Sequence, residues 1–404
     1  MDILAHRLQM DPLEFRLINA FREGGITSYG APMHGASLVE TIDAVKERCG
    51  WGKPKPPPSA PHKVRGRGMA CMFKAPSIPP NAQSSAIVKF NEDGTVNILS
   101  TASDIGQGAM TALAQIAAEE LGMPVECFKP NLPDTDYTPY EWQTVASRIT
   151  YSAGNAVLLA ARDARRQLEA TGSAVLGVAA DSVELRDGFA YEKNNPDNRV
   201  AVKDIAMGVL LPQGAVGAPV VGRGQFIPAG LTGLDPETGQ ETEGGKGPAP
   251  FYTFGAQVAD IEVDTETGEI VVKKITAAYE VGRVINQAMC VAQVQGGILQ
   301  GLSSALFEQL IMENGKPLNN NFVDYKIAAA ADTPEMDIVL LETSPQPDGP
   351  FGAKGIGEPT MVPTAPAIAN ALYDAIGVRI KDLPLTAEKV WLALQEKTAG
   401  KGEI

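Results

Sequence analysis

The sequence predicts an α+β protein of two lobes, in which mixed sheets pack against helices. Three observations point there. A chain of 404 residues exceeds what one hydrophobic core usually organises, so two lobes are expected. Two hairpin patterns lie far apart: Ser84–Phe90 and Thr95–Ser100 flank Asn91-Glu92-Asp93-Gly94, and Ala256–Val263 and Glu269–Glu280 flank Asp264-Thr265-Glu266-Thr267-Gly268. Helix-period runs follow each of them, near Met110–Leu121 and Cys290–Met312. The expected division is 1–60 for an N-terminal helical segment with a Pro-rich connector, 61–250 for a first lobe and 251–404 for a second.

At the start, Ile3, Leu4 and Leu8 stand at helical spacing. Asp11-Pro12 restarts the helix: Asp11 suits the N-cap, Pro12 the first helical position and Glu14 the acid of a capping box. Leu13, Leu17, Ile18 and Phe21 form its apolar stripe, and Gly24-Gly25 ends it. Another helix is expected over Ser37–Cys49, before the stiff connector Lys53-Pro54-Lys55-Pro56-Pro57-Pro58. From Arg65 the pattern turns to β. After the first hairpin, Ser103-Asp104-Ile105-Gly106-Gln107-Gly108 is a glycine loop opening a helix, able to present N–H groups to an anion. It is neither a Walker loop nor G-x-G-x-x-G. The polar loop Pro133–Pro139 and the run Thr144–Thr150 lead to a helix near Gly154–Thr171.

Residues 172–250 read as irregular, with a short helix near Val202–Met207 and an exposed loop over Leu231–Gly247. Asp235–Gly239 and Asp264–Gly268 share a pattern and read as turns rather than a repeat. Gly282–Gln287 leads into the long helix of the second lobe, which carries Gly296, Gly297 and Gly301. Each costs about 1 kcal/mol against alanine, so a close backbone or ligand is expected there. Asp337–Glu342 reads as a strand, and helices near Pro366–Ile376 and Ala387–Gln395 close the chain.

Composition excludes several functions. The balance of 34 basic against 48 acidic residues, a formal charge of −14, disfavours nucleic acid and anionic membranes. The N-terminus lacks the pattern of a signal peptide, and the most apolar run, Ala206–Val221, is broken by Pro212 and Pro219, so no membrane span is expected. The chain reads as soluble and cytoplasmic. Cys49, Cys71, Cys127 and Cys290 lie far apart, which argues for no zinc site or iron–sulfur cluster. His6, His34 and His62 are the only histidines, so a Ser-His-Asp triad or a histidine metal site in the main body is excluded. The remaining chemistry belongs to carboxylates, amides, backbone groups or a cofactor.

The chain is organised around Gly352-Ala353-Lys354-Gly355-Ile356-Gly357-Glu358-Pro359. Its glycines permit positive φ and close approach, and the proline fixes the chain leaving Glu358. A carboxylate on so stiff a turn can serve as general base, metal ligand or charge partner of the following helix.

Taken in order, the segments resemble the molybdenum-hydroxylase family, that is xanthine dehydrogenase and aldehyde oxidase. The resemblance rests on Met1-Asp2, Ala5, Leu8, Asp11–Arg16 and Asn19; on Asp104–Gly108; on Ala146-Ser147-Arg148 with Gly154–Val157; on Asp264–Gly268, Gly282–Asn286 and Gln293–Gly301; and on Gly352–Pro359 with Ala367–Ala371 and Asp374-Ala375. It implies a two-lobed molybdopterin-binding fold corresponding to the C-terminal half of a larger molybdenum subunit. It also implies partners: a chain for the N-terminal half, an iron–sulfur subunit with 2Fe-2S clusters and an FAD subunit, assembled as a dimer of heteromers. Met1 at the start of a family helix fits such a divided subunit.

The cofactor implied is molybdenum-molybdopterin, in the plain or the cytosine dinucleotide form. Glu358 matches the base that takes a proton at the metal's hydroxo ligand, and burial beside a cofactor is expected to raise its proton affinity. Gln107, Gly108 and Ala109, the loop Thr144, Val145, Ala146 and Ser147, Gln293, and Gly355 and Gly357 match cofactor-binding positions; Lys354 reads as structural. No protein side chain is implied as a metal ligand. Gln287, Glu280 and Gln295 stand where the family usually has Pro, Asp and Glu, and the stretch Phe73–Asn81 aligns with no pocket residue of the family. The substrate implied is an N-heterocyclic aromatic, purine- or nicotinate-like. The alternatives are an aldehyde oxidoreductase, a carbon monoxide dehydrogenase-type subunit, or a non-catalytic cofactor-binding or assembly subunit.

Overall fold

The computed structural model describes residues 1–76, 78–241 and 244–399. Ser77, in the Phe73–Asn81 stretch, and residues 242–243, in the expected Leu231–Gly247 loop, lie outside the described residues.

Two four-stranded sheets carry the helices. In one, Val221–Phe226, Ser84–Phe90, Val96–Leu99 and Phe128–Pro130 lie in that order, the last pair parallel and the others antiparallel. In the other, Lys63–Lys74, Thr253–Asp264, Ile270–Glu280 and Glu335–Leu341 do the same, again ending on a parallel pair. Both sheets are mixed, as expected from the sequence. Chain from either side of residue 250 enters the second sheet, through Lys63–Lys74 and Thr253–Asp264.

The strand Thr253–Asp264 is buried at nearly every position, because both faces of its sheet are covered. Met69, Phe254, Ala256 and Val258 pack with Leu38, Ile42 and Val45 of the helix Leu38–Cys49. Ala259, Ile261, Ala277 and Tyr279 pack with the helices Gln287–Leu306 and Thr364–Ile376.

Glycine lets helices lie directly on both sheets. A Cβ on Gly66 would stand 2.0 Å from the Ala371 carbonyl oxygen, and one on Gly68 2.0 Å from the Ala371 nitrogen. In the other sheet Gly222 and Gly224 do the same beneath the helix Ile149–Leu176, each 2.0 Å from a carbonyl oxygen, of Ala160 and Ala156. Alanines on the helix side complete the contact.

Several expectations change. Ile3, Leu4 and Leu8 are exposed, and Ala5 alone is buried from the first helix, Asp2–Arg7. Asp11 caps Pro12–Ile18 through Leu13 N–H at 2.8 Å and Glu14 N–H at 3.1 Å. Glu14 pairs with Lys46 at 3.0 Å rather than closing a capping box. Ile18 turns outward. The region 172–250 holds a three-stranded sheet of Val183–Arg186, Phe189–Glu192 and Asn195–Ala201, a small hairpin of Val209–Leu211 with Gly214–Val216, and the edge strand Val221–Phe226. These strands run only three to seven residues, too few for a period-two pattern to stand out between the turn residues that join them. The helix near Gly154–Thr171 extends to Ile149–Leu176, and that near Cys290–Met312 is Gln287–Leu306, capped by the Asn286 side chain. Among the described residues, no helix is long and apolar enough to cross a membrane.

Candidate active site

A cavity of about 430 Å³ lies where four segments meet: the glycine loop with the start of Ala109–Leu121, residues 144–150, residues 281–300, and residues 354–361. Its volume suits a small ligand or cofactor. Every residue singled out from the sequence lines it: Gln107, Gly108 and Ala109, Thr144 to Ser147, Gln293, Gly355, Gly357 and Glu358.

Local backbone chemistry explains this convergence. Ala146 and Ser147 have φ of 57° and 58°, a left-handed conformation that costs non-glycine residues of order 1–3 kcal/mol each. Surrounding bonds hold the bend. Thr144 Oγ1 accepts the Ser103 N–H at 2.9 Å, tying this loop to the glycine loop. Lys74 Nζ donates to the Ala146 carbonyl at 2.7 Å. Ser147 Oγ donates to Glu358 Oε2 at 2.9 Å and accepts the Glu358 N–H at 3.0 Å. A Cβ on Gly355 would stand 1.7 Å from the Ser147 carbonyl oxygen, so glycine is required there by approach of this loop. Positive φ is used at Gly352 (94°) and at neither Gly355 nor Gly357.

In the glycine loop the helix N-terminus is occupied from within. Asp104 Oδ1 accepts the N–H groups of Gly106 at 2.9 Å and Gly108 at 3.3 Å, and Oδ2 accepts that of Met110 at 3.2 Å. Burial pushes the Asp104 carboxyl up, but these amides win and hold it below the usual range. Gln107 braces the same loop, Oε1 accepting the Ile105 N–H at 2.6 Å and Nε2 donating to the Ser103 carbonyl at 2.9 Å. On the long helix, a Cβ on Gly297 would stand 1.9 Å from Thr360 Oγ1, and one on Gly301 2.5 Å from Thr364 Cβ. These glycines seat the helix on the turn Glu358–Thr360, which offsets their propensity cost.

Among the described residues Glu358 is the only carboxylate on the cavity wall, which it shares with the cations Arg148, Arg283 and Lys354. Arg148 is fully buried and bound to Glu141, with Ser84 Oγ at 3.0 Å and the Gln143 carbonyl at 2.7 Å. Lys354 is buried against Glu280. Arg283 is 62% exposed and stands 3.8 Å from Glu342. Burial pushes the Cys290 thiol up, so this wall residue is a neutral thiol. Burial also raises the proton affinity of Glu358, but hydrogen bonds from Lys74 and Ser147 outweigh it, and its carboxyl lies below the usual range. The expected rise is reversed in this chain because a lysine reaches the acid. No three His, Cys, Asp or Glu side chains gather as a metal site among the described residues.

Compared with known proteins, residues 44–334 match the molybdopterin cofactor-binding domain. The chain belongs to that family. This molybdopterin-binding chain is 30% identical over 400 residues to the xanthine dehydrogenase molybdenum-binding subunit of Escherichia coli O157:H7, covering 97% of itself and 50% of that protein. It is 30% identical to the nicotine 6-hydroxylase large subunit of Paenarthrobacter nicotinovorans, with 96% and 48% covered. The aldehyde oxidoreductase of Desulfovibrio gigas superposes with a TM-score of 0.77 at 28% identity, over 98% of this chain and 40% of that one. The chain thus spans about half the length of the curated relatives it matches.

The cavity fits the family's cofactor on its own chemistry. Gly108 keeps the wall open where a Cβ would stand 2.6 Å from Met289 Sδ, and a Cβ on Gly296 would meet nothing within 4 Å. Amide, hydroxyl and cationic groups around a partly apolar space match a flat polar ring system bearing an anionic tail. Sequence reasoning placed Asp104 and Arg148 within motifs without giving either a role, and missed Lys74 and Glu141. Asp104 was open to a capping argument from its position before Met110; nothing local marked Lys74.

Proposed function

We propose that this chain is the molybdopterin-holding, proton-accepting half of a molybdenum hydroxylase that oxidises an N-heterocyclic aromatic substrate. It works with a chain supplying the rest of the molybdenum subunit and with iron–sulfur and FAD subunits. The observation that carries the reading is Glu358: among the described residues, the sole acid on the wall of a cavity assembled from the family's cofactor-matching segments. The nicotine 6-hydroxylase likeness favours a heterocycle.

The molybdenum cofactor supplies two-electron oxidation with water-derived oxygen. The protein's part follows from its residues. Gln293 and the wall of Gly108, Ala109 and Thr144–Ser147 hold the pterin, in its plain or cytosine dinucleotide form. Gly355 and Gly357 bring the Glu358 turn against Ser147. Glu358, charged at neutral pH, accepts a proton, and the bonds to Ser147 keep it aimed.

The test is metal content and turnover of the purified complex. About one molybdenum per chain is expected, with oxidation of N-heterocycles faster than of aldehydes. Glu358→Gln should keep the metal and lose at least 100-fold in turnover, on the order of general-base catalysis. Near-native turnover in that variant removes the base assignment, and a complex without molybdenum removes the whole reading.

A further inference from the structure

We propose that Lys74 is the positioning residue of Glu358: its ammonium ties Glu358 Oε2 to the Ala146 carbonyl and so sets where the carboxylate stands in the cavity wall. The inference rests on Glu358 being the proton acceptor.

Lys74 ends the strand Lys63–Lys74 and stands in register with Thr253, whose hydroxyl donates to the Gly355 carbonyl at 2.7 Å. One strand pair therefore locates both the lysine and the start of the Glu358 turn. The preceding ring, Phe73, is held by edge contact with Phe21 at 5.0 Å and by Tyr252 and Phe254. From this anchor the half-buried Lys74 side chain reaches two acceptors, Ala146 O and Glu358 Oε2.

The other groups around Glu358 do not supply this charge. Ser147 contributes a hydroxyl, Gln293 an amide and Cys290 a neutral thiol. Arg148 and Lys354 are bound to Glu141 and Glu280, and Arg283 faces Glu342. The contact has a chemical consequence. An ammonium beside a carboxylate favours the ionised form, so Glu358 is ready as an acceptor at neutral pH but is the weaker base for it. A neutral residue at 74 raises the proton affinity of Glu358.

The experiment compares Lys74→Met, Lys74→Gln and Lys74→Arg in the purified complex. An infrared difference titration follows the Glu358 carboxyl band, identified by its loss in Glu358→Gln, alongside kcat/KM against pH. Both neutral variants should titrate at higher pH than the parent, with the acidic limb of kcat/KM moving the same way, and Lys74→Arg should return both toward the parent. Lys74→Gln keeps a donor for the Ala146 carbonyl and carries the test where the methionine variant fails to assemble. An unmoved carboxyl titration in the neutral variants overturns the proposal. A carboxyl that moves while kcat/KM has no acidic limb upholds Lys74 and removes Glu358 as the base.

Discussion

Replacing Lys354 by methionine isolates the energetics of the motif that carries Glu358. Lys354 and Glu280 are 2% and 0% exposed and bonded to one another. Glu280 Oε1 also accepts the N–H groups of Gly282 at 2.9 Å and Ser344 at 3.1 Å. Burial raises the proton affinity of Glu280, against the pull of the lysine and the two amides. Lys354→Met keeps most of the volume and strands the carboxylate. Breaking a buried pair from one side costs about 3–5 kcal/mol, which is two to four orders of magnitude in the folded ratio at about 1.4 kcal/mol per tenfold.

Lys354→Met with Glu280→Met should recover most of that, because a well-packed apolar pair is often neutral against a buried ion pair. Urea denaturation followed by tryptophan fluorescence measures both. The pH dependence has a definite sign. Without Lys354 the folded-state pKa of Glu280 rises further above its unfolded value, so the folded state binds more protons and stability falls as pH rises. The defect is greatest well above the folded pKa and shrinks as pH drops toward the unfolded carboxyl value of about 4.3. A single variant losing under about 1 kcal/mol, or a double variant no more stable than the single, refutes the account of a charge held buried by its partner.

Three further outcomes are expected. Gly224→Ala drives a methyl onto the Ala156 carbonyl, 2.0 Å away, and should cost about 3 kcal/mol or more in urea denaturation, since backbone on both sides leaves little to give. Gly355→Ala displaces the Ser147 loop from 1.7 Å. Turnover should fall by about 100-fold, the scale of an ångström of misplacement, while Gly296→Ala, with nothing within 4 Å of the new methyl, should assemble normally. Asp11→Ala removes the cap on Leu13 and Glu14 and should lower the thermal midpoint by an amount equivalent to about 1 kcal/mol.

Local chemistry was legible where one residue type has one strong preference. Asp11-Pro12 announced a helix start, and Asp264–Gly268 announced the turn between Thr253–Asp264 and Ile270–Glu280, where Asp264 Oδ1 accepts the N–H groups of Glu266 at 3.0 Å and Thr267 at 3.1 Å. Two glycines of the long helix, Gly297 and Gly301, signalled a close neighbour, which proved to be the chain's own Thr360 and Thr364; at Gly296 the expected neighbour is not there, since a Cβ would meet nothing within 4 Å. Short strands in 172–250 were hidden by their length: Val183 and Leu185 do alternate with Glu184 and Arg186 beneath the helix Ile149–Leu176, but four residues are too few to mark a strand among turn residues.

From the sequence alone came the α+β class, the family resemblance, and the residues that line one cavity, because these depend on composition, local preference and ordered motifs. Tertiary structure decided the pairing of Lys63–Lys74 with Thr253–Asp264, and with it the meeting of Lys74 and Glu358, 284 residues apart. It also decided the direction of the Glu358 pKa shift. A carboxylate's proton affinity is set by the charges and hydrogen bonds within a few ångströms, and the charge that matters here reaches Glu358 only through the folded sheet.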